Sequence, residues 1–127
     1  MKSCCLILLL FTLFQVHTSA QVWVRSADGL EVEVEDLSRI ITVGGSITET
    51  VFTLGMGNKV IATDASSTFP ADIEKLPRVP YKRNLTAEGL LSLNPSLVLA
   101  ADDAEPVVVI EQLREAGVDV VLVEDGL

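Results

Sequence analysis

The stretch Arg39-Ile40-Ile41-Thr42-Val43-Gly44-Gly45-Ser46-Ile47-Thr48-Glu49 decides the fold. Ile40 to Val43 is a short apolar run rich in β-branched residues, the pattern of a strand buried on both faces of a parallel sheet. Gly44-Gly45 breaks that run. Ser46-Ile47-Thr48-Glu49 then reads as a capping box, a hydroxyl residue followed three positions later by glutamate. Val51, Phe52 and Leu54 continue at helical spacing, and Gly55 marks the stop. A second apolar run, Lys59 to Thr63, follows closely. Strand, helix and strand in this order predict a parallel pair joined by a right-handed crossover.

The same texture continues on both sides. Leu97 to Ala101 and Val118 to Val123 are further buried strands; between them Val107, Ile110, Leu113 and Ala116 mark one face of a helix that Gly117 ends. The middle connection holds two weaker helical segments, around Ala71 to Leu76 and Thr86 to Leu93. Upstream, Val22-Trp23-Val24-Arg25 and Leu30-Glu31-Val32-Glu33-Val34 alternate apolar and polar residues about Asp28-Gly29, which predicts a β-hairpin with one wet face. The fold class is therefore α/β: a parallel-sheet lobe with flanking helices and an N-terminal β-hairpin. No internal repeat or low-complexity segment interrupts it. The chain ends at Asp125-Gly126-Leu127, just after a strand, where such a sheet is expected to continue, so the end reads as a truncation.

Residues 1–20 have a different character. Lys2 precedes an apolar run from Cys4 to Phe14, and the small residues Thr18, Ser19 and Ala20 follow, the order of a secretory signal peptide cut after Ala20. The run is well short of the roughly 18 residues a membrane span requires. Cys4 and Cys5 lie at its start and not at the cleavage point, which argues against a lipid anchor. Cleavage removes both cysteines and His17, and leaves 107 residues in the mature lobe, 21–127. That composition excludes a disulfide framework, a Cys/His zinc site, a Ser-His-Asp triad and imidazole chemistry. The net charge of −9 becomes −10, with 8 basic and 18 acidic side chains, so nucleic acid is excluded as a partner. A chain of this size buries one core and makes one domain or one lobe.

The residues able to do chemistry are few. Tyr81 is the single tyrosine, and Arg83 stands two places on; in an extended segment both project to the same side. A phenolate is a hard donor suited to ferric iron, and an adjacent cation favours it over the phenol. A loop tyrosine that packs its ring and makes one hydrogen bond is the plainer alternative. Arg78, Lys82 and Arg83 form the densest basic cluster, which fits either an anionic ligand or a solvated loop. Gly44-Gly45-Ser46 could turn backbone N–H groups toward an anion or simply begin a helix, and it is neither a Walker loop nor a dinucleotide fingerprint. Asp102, Asp103 and Glu105 are read as complements to the positive end of the following helix and not as a carboxylate metal site.

The order from Arg39 to Glu49, followed by Leu54-Gly55-Met56-Gly57-Asn58-Lys59-Val60-Ile61-Ala62-Thr63-Asp64, resembles the opening of the helical-backbone substrate-binding proteins, which capture metal chelates for ABC importers. The likeness runs on through Ser67, Phe69-Pro70, Leu76-Pro77, Thr86 to Pro95 and Leu97 to Ala100. It implies the first half of a two-lobe periplasmic binding protein, without catalysis, whose cargo sits between lobes. Pro80-Tyr81-Lys82-Arg83-Asn84-Leu85-Thr86-Ala87-Glu88-Gly89 is similar to the haem-binding branch, in which tyrosine, then arginine two places later, precede this helix. Pro80 and Lys82 stand where that branch commonly has glycine and methionine. The resemblance implies haem as the transported ligand, Tyr81 as the axial ligand of its iron, Arg83 as the support of that phenolate, and Glu88 as a surface glutamate that meets arginines on the permease. A negative side chain near a helix N-terminus also complements the helix dipole, so Glu88 has a structural reading beside the docking one. Haem, an ABC permease and an outer-membrane haem receptor upstream are the implied partners of a monomer in the periplasm. A ferric siderophore or cobalamin is the alternative cargo. A secreted α/β enzyme is the alternative of another class, and the sequence offers it no histidine, cysteine or nucleophile motif.

Overall fold

The computed structural model describes residues 21–125. The expected signal peptide, residues 1–20, lies outside the described residues, as do the last two. The described residues open with β1 (Val22–Arg25) and β2 (Glu31–Val34), an antiparallel hairpin in which Val24 faces Val32 and Trp23 faces Glu33. The turn falls at Asp28-Gly29 as expected. Gly29 takes φ 87°, its N–H donates to Ser26 O at 2.8 Å, and Ser26 N–H donates to Leu30 O at 2.8 Å. Only glycine adopts that conformation at little cost, and it closes a three-residue loop.

The central sheet has five parallel strands: β3 (Ile40–Val43), β4 (Val60–Asp64), β5 (Arg78–Val79), β6 (Leu97–Ala101) and β7 (Asp119–Val123), in the order β5-β4-β3-β6-β7. The alternation of strands and helices predicts this parallel arrangement, and β3, at its centre, is buried along its whole length. The short edge strand β5 has no apolar run to announce it; it forms because Thr63 and Asp64 pair with Arg78 and Val79. On one face α1 (Gly45–Thr53) packs Ile47 and Val51 against Val60 and Ala101. On the other, α2 (Ala87–Leu91) and α3 (Val107–Glu115) bury Leu90, Val109, Ile110 and Leu113 against Ile41, Val43, Val98 and Val120. The hairpin adds Val34 to a smaller cluster with Ile40, Leu97 and Val121, while Trp23 remains exposed.

Three local expectations are corrected. Ser46 is not the cap of α1: the capping position is Gly44, at φ 126°, and no side chain bonds the helix start. The Gly44-Gly45 pair lets the backbone turn from strand to helix at once, so Ser46 is already helical and its hydroxyl instead meets Asp125. Ala71–Lys75 is a 3₁₀ segment and not an α-helix; only Ile73 in it is buried, too little to support a longer element. The helix expected over Thr86 to Leu93 is shorter, with Thr86 as a true cap accepting from Gly89 N–H at 3.2 Å.

Candidate functional site

All five strands run the same way, so the loops that follow them share one rim. The chain steps from β3 outward to β4 and β5, then returns across β3 to β6 and β7. Such a reversal leaves a crevice at the carboxyl ends of the strands, where open α/β sheets bind ligands. The residues singled out in the sequence collect on this rim: Gly44-Gly45 after β3, Tyr81 to Arg83 after β5, and Asp102 to Glu105 after β6.

A buried carboxylate organises the first part. Asp64, fully buried at the end of β4, accepts from Gly44 N–H at 3.0 Å, Ser66 N–H at 3.2 Å, Ser66 Oγ at 2.7 Å and Ser67 Oγ at 3.0 Å. Thr48 Oγ1 bonds both Ser67 Oγ and Thr42 Oγ1 at 2.7 Å, which extends the network back to β3. A carboxylate inside a protein persists only when its oxygens are satisfied, and here they are. One consequence concerns anion binding: the Gly44 N–H is already taken by Asp64. Arg78 is likewise committed, donating Nη1 to the carbonyls of Asp64 and Ser67. The basic cluster of the sequence therefore separates, with Arg78 bracing the β4 loop.

Tyr81 to Asn84 form a tight turn in which Asn84 N–H donates to Tyr81 O at 2.7 Å. This differs from the extended segment expected there, since Lys82 and Arg83 occupy the two middle positions of a β-turn. The turn is carried across the rim from β5 to β6 by two backbone bonds, Glu105 N–H to Lys82 O at 2.7 Å and Leu85 N–H to Glu105 O at 3.0 Å. Tyr81 remains 45% exposed. The Arg83 guanidinium is held above its ordinary value, chiefly by its hydrogen bond to Asp103 and then by the charges of Asp103 and Glu105.

Asp103 and its neighbours depart from the helix-cap reading. α3 is preceded by Pro106, with no acidic residue in its first turn and no side-chain cap. Asp103 pairs instead with Lys82 at 2.8 Å and Arg83 at 3.1 Å, and Lys82 also approaches Asp125 at 3.4 Å. The ion pair with Lys82 holds the Asp103 carboxyl below the usual carboxylate range, and the Lys82 ammonium is held above its ordinary value in return. Asp102 accepts from Asp125 N–H at 3.3 Å. Glu88 is exposed in the first turn of α2. Sequence reasoning missed Asp64 and the role of Asp103. An aspartate that ends the buried run Val60-Ile61-Ala62-Thr63 was a usable signal for the first, because unpartnered carboxylates are rarely buried.

A concavity of about 760 Å³ lies elsewhere, at the amino ends of β6 and β7 between the hairpin and Asn94 to Ser96. It opens beside Glu35, Asp36 and Asp119, and burial pushes the Asp119 carboxyl up. The carboxyl rim is a wall and not an enclosed pocket, so volume is a poor guide to it; the convergence of cations, phenol and buried network is the better one.

The comparisons agree with this geometry. Residues 40–126 match the periplasmic binding protein family. This chain belongs to that family. An ABC transporter substrate-binding lipoprotein, YvrC, of Bacillus subtilis (strain 168), itself uncharacterised, is 31% identical over 83% of this chain and 34% of its own length. A vitamin B12-binding protein of Yersinia pestis (strain Pestoides F) is 30% identical over 85% of this chain and 38% of its own. Among solved structures, the apo periplasmic heme-binding protein RhuT from Roseiflexus sp. RS-1 superposes with a TM-score of 0.67 and 44% identity, covering 69% of this chain and 34% of that one. The chain thus spans about a third of the length of the relatives it matches. These relatives are substrate-binding proteins of transport systems and not enzymes.

Proposed function

We propose that the protein captures haem in the periplasm and delivers it to an ABC importer. In this reading residues 1–20 are the export signal and residues 21–127 form the first lobe, one wall of the cleft that holds the cargo. Tyr81 ligates the ferric iron as phenolate, Arg83 stabilises that charge, and Glu88 meets the permease. No bond in the cargo is made or broken.

The observation that carries the proposal is the pairing of the single tyrosine, exposed on the carboxyl rim beside Arg83, with 44% identity to a heme-binding protein. A phenolate suits a ferric centre because both are hard. Full-length protein titrated with ferric haem should show the absorption spectrum of tyrosinate ligation, and Tyr81→Phe should abolish it. A spectrum unchanged by that substitution would remove Tyr81 as the ligand. The relative that binds vitamin B12 supports a second reading, cobalamin held with Tyr81 as a wall residue. Uptake of cobalamin but not haem, insensitive to Tyr81→Phe, would favour it.

A further inference from the structure

The Tyr81–Asn84 turn carries two adjacent cations at its middle positions, and both converge on one carboxylate. Asp103 Oδ1 lies 2.8 Å from Lys82 Nζ, and Asp103 Oδ2 lies 3.1 Å from Arg83 Nη2. The two cations differ in surroundings. The Lys82 side chain is only 15% exposed and has Asp125 as a second partner at 3.4 Å, whereas that of Arg83 is 56% exposed. Lys82 is therefore a fastener that holds the turn to the carboxyl ends of β6 and β7. Arg83 commits one nitrogen, and its Nε and Nη1 have no protein acceptor among the described residues. A planar guanidinium held at one corner is fixed in direction while keeping donors for an anionic group.

We propose that Asp103 is the positioning residue of the Tyr81–Arg83 pair. It closes the turn over β6 through Lys82 and aims the free edge of Arg83, while Tyr81 stays exposed to receive the cargo. This inference rests on the reading of Tyr81 and Arg83 as the haem-binding pair. A carboxylate that orients ligand-supporting groups in this way tunes affinity without touching the metal. It also gives the acidic stretch after β6 a role that the first turn of α3 does not supply.

The test uses full-length protein with Asp103→Asn, which keeps the shape and removes the charge, and Asp103→Glu, which keeps the charge. In unliganded protein, amide hydrogen exchange at Asn84 and Leu85 should accelerate in Asp103→Asn while exchange in the strands β3 and β6 stays as in wild type. Ferric haem affinity should fall about 10-fold or more, the usual range for losing a group that orients a metal ligand. The tyrosinate spectrum should shift in the same variant, and Asp103→Glu should recover part of both effects. Unaltered exchange together with unaltered affinity would overturn the proposal. So would tighter haem binding by Asp103→Asn, which would make Asp103 a competitor of the cargo. If wild-type protein takes up no haem, the cargo reading falls, and hydrogen exchange alone decides whether Asp103 holds the turn.

Discussion

Gly44 shows how much one residue's conformational freedom governs here. At φ 126° and ψ 130° it occupies backbone space closed to other residues, and its N–H is spent on the buried Asp64. Gly44→Ala should destabilise the protein by about 2 kcal/mol, because holding a side-chain residue in such a region costs that much and the Asp64 bond must stretch to relieve it. Urea unfolding of the two proteins checks this, and equal midpoints would remove the argument. The sequence marked Gly44-Gly45 as a break but assigned the cap to Ser46. The pattern of a capping box is local, whereas the carboxylate that fixes Gly44 comes from twenty residues downstream. Tyr81 and Arg83 were visible as residue types; their turn was not, since its backbone bonds to Glu105 and the pairing of Lys82 and Arg83 with Asp103 all come from beyond β6.

Among the elements, the hairpin depends most on contacts made outside itself. Two strands alone are marginal in water, so β1 and β2 require a partner. Ala27 N–H donates to Leu122 O at 2.8 Å, Leu122 N–H donates to Ser26 Oγ at 2.9 Å, and Arg114 joins Asp28 at 2.7 Å while also reaching Val120 O at 3.0 Å. The hairpin thereby covers part of the β7 edge, which would otherwise present unpaired backbone groups. The hydrogen bond from Arg114 lowers the Asp28 carboxyl below its ordinary 3.8. A lowered carboxylate stabilises the fold at pH values above the ordinary one, and that stabilisation is lost as pH falls through the lower, folded value. Asp28→Asn should therefore speed amide exchange at Ala27 at pH 7, and the variant and wild type should converge once the pH is below the folded value. A difference that persists there would assign the effect to shape and not to charge. The hairpin itself and its turn were legible from alternation and Asp28-Gly29; its seat on β7 was not, because Arg114 lies 86 residues from Asp28.

At the scale of the whole molecule, the proposed cargo residue Tyr81 and the proposed docking residue Glu88 belong to one lobe, in the segment that runs from β5 into α2. Tyr81 is on the carboxyl rim, and Glu88 is exposed in the first turn of α2, whose buried Leu90 and half-buried Leu91 pack into the core shared with α3 and the sheet. Glu88→Ala in the full-length protein should leave haem affinity unchanged and reduce haem transfer into vesicles carrying the permease and its ATPase by about tenfold, the equivalent of one charged contact of about 1.4 kcal/mol. A parallel loss of affinity would show that Glu88 acts on the fold or the cargo and not on docking. The short edge strand β5 belongs to this scale too. Two residues carry no periodicity, and only pairing with β4 makes them a strand.

The sequence by itself determined the alternation of strand and helix, the family, the hairpin, and the residue types able to meet iron or a permease. Each is written in local spacing, because the period of apolar residues sets which face of an element is buried. The tertiary structure alone decided that Asp64 holds the β3–α1 turn, that Arg78 braces the β4 loop, and that Asp103 gathers Lys82 and Arg83 into one cluster. Those contacts join loops separated by up to about twenty residues and a whole sheet crossover. They exist only once the strands have aligned in parallel and brought their carboxyl ends to a common rim.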